Sequence, residues 1–574
     1  MKDLFKNLKY TYNYIKNQKK DFAVYIFVEI LSVICSLLLP ILSAKIIINL
    51  SLGNFKEIIE FALIIFVIQM LYNVIHFFES KSMQKIFRET LYKMQKDVSN
   101  EILRLDNETL DKNGSGVFIQ RMTNDTSRIS DFINDLISLM SGFVARIGIF
   151  GAIFIINKKA FVFSLFYVIV LYLVDDIRTK KYIEKDKVFR KEKEKISSFI
   201  GEIVRGARDI KMLNAEESFK EELNKKVYKY NQKAYEMSIP TRIYNFIGGT
   251  IRDIFDLSLI VMLVILIKEN EITIASALVI NNYVTRIGDI SYYLGRLLES
   301  SKDFNLSASR IYSLLEGNEF TKEKFGNKHI DKVNGTFEFK NVNFKYDKNY
   351  VLKNMSFKIK ENETVAFVGK SGVGKSTVFS LLCKMYEANS GKILIDNINI
   401  NELDKDSIRG NMTIISQNPY IFNLSIKDNL KLVKSNVTDK EIKKACKIAC
   451  LDDFIMTLPK KYNTIVGEGG VTLSGGQKQR LAIARALLQE TEIILFDEAT
   501  SALDNETQKQ IQEAINNMKG TYTILIIAHR LSTIINSDKI LVMDDGKIVA
   551  EGKHNELLKK CKAYKELYNS EIKK

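Results

Sequence analysis

Apolar and polar positions along this chain follow two regimes. Up to about residue 315 the sequence is dominated by long hydrophobic runs at roughly 22–46, 58–78, 132–156, 160–175, 244–267 and 273–295. Each approaches or exceeds the roughly 20 residues that a helix needs to cross a hydrocarbon core. The fourth run is the shortest, closed by Asp175, Asp176 and Arg178. Between the runs, Phe87 to Leu105 and Phe189 to Tyr230 keep a helical apolar period while carrying many charges. They predict membrane helices that continue far into water. Lys2, Lys6, Lys9, Lys16, Lys19 and Lys20 alternate with Leu, Phe and Tyr, a basic amphipathic stretch suited to a membrane surface. The run Phe22 to Leu42 exceeds a signal-peptide core, lacks a small-residue cleavage site and is followed by further spans. Beyond the charged segment Glu316 to Val333 the pattern changes to short strands, such as Phe337 to Tyr346, alternating with helices. Thr364 to Val368 and Ile493 to Phe496 are unbroken apolar runs, as buried strands of a parallel sheet require. The predicted organisation is a membrane domain over 1–315, a linker over 316–333 and a soluble α/β domain over 334–574.

Charge adds orientation. The 84 Lys and Arg exceed the 68 Asp and Glu by 16, a balance that could indicate a nucleic-acid partner. Their distribution argues otherwise. With a cytoplasmic N-terminus, the outer loops are short and hold only Lys56, Lys158, Lys159 and Lys268, whereas 79–131 and 176–239 are long and crowded with cations. That asymmetry follows the positive-inside rule and puts both termini in the cytoplasm, with no nucleic-acid partner expected. Five cysteines (Cys35, Cys383, Cys446, Cys450 and Cys561) form no disulfide framework, and Cys446 with Cys450 lack further metal ligands. The Lys-, Ile- and Asn-rich composition without Trp points to an AT-rich bacterial genome and a bacterial plasma membrane.

Polar residues recur at helical steps inside three spans. Gln69, Asn73 and His76 mark the second; Arg242, Asn245, Gly249, Arg252 or Asp253, and Asp256 mark the fifth; Asn282, Arg286, Asp289, Tyr293 and Arg296 mark the sixth. At about 1.5 Å per residue, Asp256 and Arg286 fall near mid-membrane, where a lipid-facing charge costs several kcal/mol. They are expected to face inward, either lining a hydrated cavity of mixed charge or pairing with each other to fix helix packing.

The soluble domain carries two phosphate-binding patterns. Gly369-Lys370-Ser371-Gly372-Val373-Gly374-Lys375-Ser376 stands between the strand ending at Val368 and a helix beginning at Thr377, the context in which a P-loop cradles phosphates. Lys375 is placed to reach β- and γ-phosphates, and Ser376 to ligate Mg²⁺. Leu473-Ser474-Gly475-Gly476-Gln477 opens a second helix, whose first N–H groups and Ser474 hydroxyl make an anion site reinforced by the helix dipole. The strand Ile493 to Phe496 delivers Asp497 and Glu498 at its C-terminal end, where such sheets bind ligands. Asp497 is placed to hold the same Mg²⁺.

These motifs, in this order with the downstream His529, resemble the nucleotide-binding domain of the ABC transporter family, and the resemblance covers nearly the whole chain. It implies that Tyr346 is the aromatic platform for adenine, and that Gln417 contacts Mg²⁺ and the attacking water and senses the membrane domain. Glu498 matches the catalytic carboxylate, His529 the switch histidine at the γ-phosphate, and Asp504 the loop joining two sites of a dimer. Thr464 to Gly470 resembles the exporter-type loop before the signature Ser474 to Gln477, with Gly469 where the family often has Arg. Gly116 to Arg121 with Asp125, and Glu202 to Glu216, resemble the two intracellular loops, with short coupling helices expected near Thr109–Ser115 and Asn214–Phe219. In this family the P-loop of one domain closes on the signature of another. One copy of each motif therefore implies a half-transporter that pairs with a second, as a homodimer by preference because every motif is intact. The fold class implied is an all-α six-helix transmembrane domain with long cytoplasmic extensions, followed by an α/β P-loop ATPase domain. The function implied is ATP-driven, Mg²⁺-dependent export of a substrate through a lipid membrane. The polar stripes favour a peptide or other amphipathic cargo; a lipid flippase, a multidrug exporter and an ATP-gated channel share the same motifs. A soluble ATPase of DNA repair would lack the apolar runs and would separate its phosphate motifs by a coiled coil.

Overall fold

The computed structural model describes residues 2–287, 290–467, 470–497, 505–527 and 534–572. Two compact units divide the chain: 1–104 with 113–320, and 105–112 with 321–574. The first unit is helical. Its elements are α1 (Lys2–Ile15), α2 (Lys19–Leu52), α3 (Phe55–Ile102), α4 (Asn107–Gln120), α5 (Thr126–Ile156), α6 (Lys158–Met212), α7 (Glu216–Lys268), α8 (Ile274–Ile287) and α9 (Ile290–Glu316). Among the described residues, Lys19–Leu52, Phe55–Ile102, Asn107–Ile156 and Lys158–Met212 are long and apolar enough to cross a membrane. The fifth expected span lies on α7, whose apolar stretch is interrupted by Arg252, Asp253 and Asp256. The sixth runs over α8 and α9, and Gly288 and Asp289 between them lie outside the described residues.

The charged triplet after the fourth run does not end its helix. Asp175 and Arg178 pair one turn apart, and α6 continues unbroken to Met212. The local pair leaves the backbone ladder intact, so the charges end the apolar stretch and not the element. Gly53, in the left-handed region at φ 76°, turns α2 back into α3. At the far end of α6 the chain turns through Leu213 to Ala215 and α7 begins at Glu216, so the second expected coupling helix is the turn and first residues of a 53-residue helix. Near the first, expected over Thr109–Ser115, α4 is broken at Gly114 (φ 68°, ψ 159°), which isolates a short helix that begins at Asn107.

The core of the helical unit gathers Ala44, Ile149, Ile153, Tyr167, Leu259, Leu263, Ile280 and Val284, with the Tyr283 hydroxyl donating to the Leu37 carbonyl at 2.7 Å. α1 buries one face against α9: Asn7 donates to Asn305 at 3.0 Å, and Tyr10 stacks on Tyr312 with centroids 5.0 Å apart. Of its basic residues, Lys6 reaches the Glu316 carboxylate at the end of α9, 4.0 Å away, and Lys9 is exposed. A π-helical turn, Arg121–Asp125, precedes α5. It aims buried Arg121 at the Arg310 carbonyl (2.9 Å) and the Glu319 carboxylate (2.8 Å), while Asp125 accepts from Ser307 at 2.9 Å. The Arg121 guanidinium holds the Glu319 carboxyl below its ordinary range.

The second unit is built on β1 (Phe337–Lys345), β2 (Tyr350–Ile359), β3 (Thr364–Val368), β4 (Ser390–Ile395), β5 (Ile398–Asn399), β6 (Met412–Ile415), β7 (Leu424–Ser425), β8 (Ile465–Val466), β9 (Ile493–Asp497), β10 (Thr523–Ile527), β11 (Lys539–Asp544) and β12 (Lys547–Gly552). An antiparallel sheet has the order β2-β1-β4-β5, and a six-stranded sheet the order β12-β11-β3-β10-β9-β6. In the latter, β11, β3, β10, β9 and β6 are mutually parallel. β3 and β10 are buried at every position, as their unbroken apolar sequences require. Residues 105–112 belong to this unit by packing: the Asp106 N–H donates to the Thr321 carbonyl at 3.2 Å, and the Thr109 and Thr321 hydroxyls meet at 3.0 Å.

Candidate active site

Because β3, β9 and β6 are parallel, their C-terminal ends fall on one edge of the sheet. The P-loop leaves β3, Asp497 ends β9, and Gln417 follows β6, so residues far apart in sequence meet where a parallel sheet opens a ligand crevice. Gly374 caps the helix Lys375–Leu382 at φ 102°, and a Cβ there would stand 2.7 Å from Leu352 Cδ2. That conformation and that contact both call for glycine. Lys375, 5% exposed, donates from Nζ to the carbonyls of Gly369 (2.8 Å) and Lys370 (3.0 Å). Its ammonium is thereby held beneath the loop formed by Gly369, Lys370, Ser371, Gly372 and Val373.

The Ser376 hydroxyl donates to Asp497 Oδ1 at 3.0 Å. A hydroxyl and a carboxylate in contact at the mouth of a phosphate loop form an all-oxygen donor set, which fits Mg²⁺ held by one or two protein oxygens with water and phosphate completing the shell. Gln417 is exposed on the segment after β6, and its carbonyl accepts from Gln479 Nε2 at 3.1 Å. This bond ties that segment to the helix Gly475–Gln489.

Ser474 caps the same helix. Its hydroxyl accepts from the Gln477 N–H at 3.3 Å, while Gln477 Oε1 accepts from the Ser474 N–H at 2.9 Å, a reciprocal capping box. The hydroxyl expected to meet an anion thus also fixes the first turn, which leaves the N–H groups of Gly475 and Gly476 at the positive end of the dipole. Arg485, on the same helix, donates to the carbonyls of Asn429 and Tyr420 at 3.0 Å each, and its burial lowers the guanidinium pKa.

Tyr346, just past β1, is 44% exposed and donates through its hydroxyl to Thr377 Oγ1 at 3.2 Å. Phe344 and Tyr386 both pack edge-on against its ring, with centroids 4.8 and 5.0 Å away. Tyr386 carries no motif, and only the fold shows its place. Glu498, Asp504 and His529 lie outside the described residues. The described part of the site therefore unites Lys375, Ser376, Thr377 and Asp497 with Tyr346, and presents Gln417 on the same sheet edge.

In the membrane segment, Arg286 donates to the Ser36 carbonyl at 3.1 Å, and no Asp256–Arg286 ion pair occurs among the described residues. Of the two alternatives, pairing with each other is therefore not seen among the described residues, and Arg286 bonds a neighbouring backbone instead. Arg242, Asn245, Arg252 and Asp253 are exposed on α7, N-terminal to the part of the helix where Leu259 and Leu263 enter the core.

Two family profiles match this chain. The profile described as the ABC transporter transmembrane region matches residues 22–287, and the one described as ABC transporter matches residues 352–501, which hold the P-loop and the signature. A protein of Staphylococcus aureus strain bovine RF122 / ET3-1, named as a multidrug export ATP-binding/permease protein, is 32% identical over 521 residues, spanning 89% of either chain. Relatives of the same name in strains NCTC 8325 / PS 47 and Mu50 / ATCC 700699 are 32% identical over 519 residues, with 89% of each chain covered. With apolar helices, a P-loop and a strand-end aspartate in one polypeptide, the chain belongs to the ABC transporter family: it is a multi-pass membrane protein and an ATP-hydrolysing exporter whose transmembrane region is joined to its ATP-binding domain.

Proposed function

We propose that this chain works as a homodimer that exports a peptide or other polar, amphipathic compound by alternating access, with both termini in the cytoplasm. The observation that carries the ATP chemistry is the convergence of Lys375, Ser376 and Asp497 at one edge of a parallel sheet, with the Ser376–Asp497 contact at 3.0 Å. Lys375 binds the β- and γ-phosphates, and Tyr346 takes the base. Ser376 and Asp497, with Gln417, would hold Mg²⁺, which supplies charge neutralisation on the phosphates. Glu498 polarises the attacking water and His529 contacts the γ-phosphate. The signature Ser474 to Gln477 of one subunit closes on the P-loop of its partner, and Asp504 links the two composite sites. Binding favours the closed pair and hydrolysis releases it, so each ligand state selects one face of the cavity.

The cargo reading is supported by polar residues that stay exposed within the helical unit, Arg242, Asn245, Arg252 and Asp253 on α7 and Asn282 and Arg286 on α8. A mid-membrane charge exposed to lipid costs about 2.5–3.5 kcal/mol, so Asp256 and Arg286 belong in a hydrated space between subunits. The relatives' name makes a drug-like cargo the second reading. Purified, reconstituted protein should show ATPase stimulation by amphipathic peptides above that by lipids or apolar drugs. Arg286→Ala with Asp289→Ala should remove that stimulation and spare the basal rate. Stimulation by apolar drugs alone, unchanged in the double variant, would overturn the cargo reading.

A further inference from the structure

One aromatic contact joins the proposed adenine platform to the short helix that begins at Asn107. Phe344, Tyr346 and Tyr386 form a cluster in which each ring meets the others edge-on, at 4.8, 5.0 and 5.8 Å between centroids. Two neighbours at right angles fix the plane of Tyr346 and leave area of its ring exposed. The hydroxyl of Tyr386 in turn donates to Asp111 Oδ2 at 2.5 Å, a charge-assisted bond. Asp111 sits on a helix that is itself pinned: Asp106 Oδ1 accepts from the Thr109 N–H at 2.8 Å, and Thr109 meets Thr321. An open cleft of about 800 Å³ is lined by Asn107, Asp111, Tyr346, Ser380 and Tyr386, so the short helix, the aromatic cluster and the P-loop helix border one space.

We propose that Tyr386 is a positioning residue for base recognition, that it holds the Tyr346 ring square to the incoming adenine, and that Asp111 makes this grip depend on the seating of the short helix. The inference rests on the reading of Tyr346 as the adenine platform. A base stacked on Tyr346 is then held most tightly when helix and cluster are joined. By linkage, base binding stabilises the Tyr386–Asp111 bond in the same measure. The phosphates, held by the P-loop backbone and Lys375, are indifferent to it. The effect is confined to ligands that carry a base.

The test compares Mg-ATP with inorganic tripolyphosphate, which offers phosphates without a base, as substrate and competitive inhibitor of the full-length protein in lipid. Tyr386→Ala removes an edge-on neighbour and a charged hydrogen bond, and should raise KM for ATP about tenfold. The maximal rate and the tripolyphosphate inhibition constant should stay within about twofold. Tyr386→Phe breaks the bond and should raise KM about threefold, Asp111→Asn removes only its charge assistance and should raise KM by less, and the pair combined should not exceed Tyr386→Phe alone, because both act on one bond. If Tyr386→Ala does not fold, these two conservative variants carry the test. Tyr346→Ala separates the two layers of the argument. Should it leave ATP and tripolyphosphate equally affected, the platform reading fails. Should it act on ATP alone while Tyr386 and Asp111 variants leave KM unchanged, or weaken tripolyphosphate as much as ATP, the proposal made here is overturned.

Discussion

Replacing Gly374 by alanine probes the phosphate loop at its most constrained point. The residue sits at φ 102°, and an added Cβ would lie 2.7 Å from Leu352 Cδ2, 3.1 Å from Val351 Cγ1 and 3.3 Å from the Val351 carbonyl. A left-handed backbone costs a non-glycine residue about 1–2 kcal/mol, and overpacking against a rigid neighbour about 1–3 kcal/mol more. Leu352 is fully buried on β2, so it has little room to yield. The sum, about 2–5 kcal/mol, falls on the loop conformation that binds phosphate, and at tenfold per 1.4 kcal/mol ATP affinity should drop by about 30-fold or more. Gly372 provides the internal comparison. At φ 81° it has no heavy atom within 4 Å of an added Cβ, so Gly372→Ala bears only the backbone cost of about 1–2 kcal/mol. Displacement of a fluorescent ATP analogue reports affinity, and thermal unfolding in detergent reports the steric part separately. Gly374→Ala should melt several degrees below Gly372→Ala. The reasoning fails if Gly374→Ala binds ATP within threefold of the parent, or melts at or above Gly372→Ala.

Three further outcomes are expected. Glu498→Gln should retain ATP binding and lose nearly all hydrolysis, because Gln preserves the shape and removes the base; a rate within threefold of the parent would assign that role elsewhere, first to His529. Hydrolysis should be cooperative in ATP for the chain purified alone, and mixing in Lys375→Ala subunits should depress activity below their simple proportion; strict proportionality would indicate independent subunits. Burial pushes the Cys383 and Cys446 thiols up to about 12, so at pH 7 they are almost wholly protonated and should resist maleimide in the folded protein, while the half-buried Cys450 and Cys561, outside the membrane segments, react first. Labelling of Cys383 at the rate of Cys561 would contradict the packing around it.

The two-regime pattern already indicated a helical membrane part and an α/β part, because long apolar runs and P-loop contexts are local signals. The meeting of Ser376 with Asp497 was also legible, since Ser376 closes the loop that leaves one buried, apolar strand and Asp497 ends another. Other features depended on tertiary packing. The charges at Asp175 and Arg178 mark where the fourth apolar run closes, but their pairing one turn apart inside a helix that continues to Met212 shows only in the fold. Asp256 and Arg286 were candidates for a pair by depth alone, but the choice of the Ser36 carbonyl depends on how α8 packs against α2. Tyr386 follows the P-loop helix with no spacing rule to single it out, and the assignment of 105–112 to the ATPase unit rests on contacts with Thr321 some two hundred residues away.

The central claim is that ATP hydrolysis at this site drives cargo uphill, and the most direct test is uptake of an ATPase-stimulating peptide into inside-out proteoliposomes containing the purified chain. ATP with Mg²⁺ should raise the internal free peptide above the external concentration, and Lys375→Ala or omission of Mg²⁺ should abolish the excess. Uptake that stops at equal concentrations on both sides, however fast it is with ATP, would contradict the account and assign the chain to a nucleotide-gated channel.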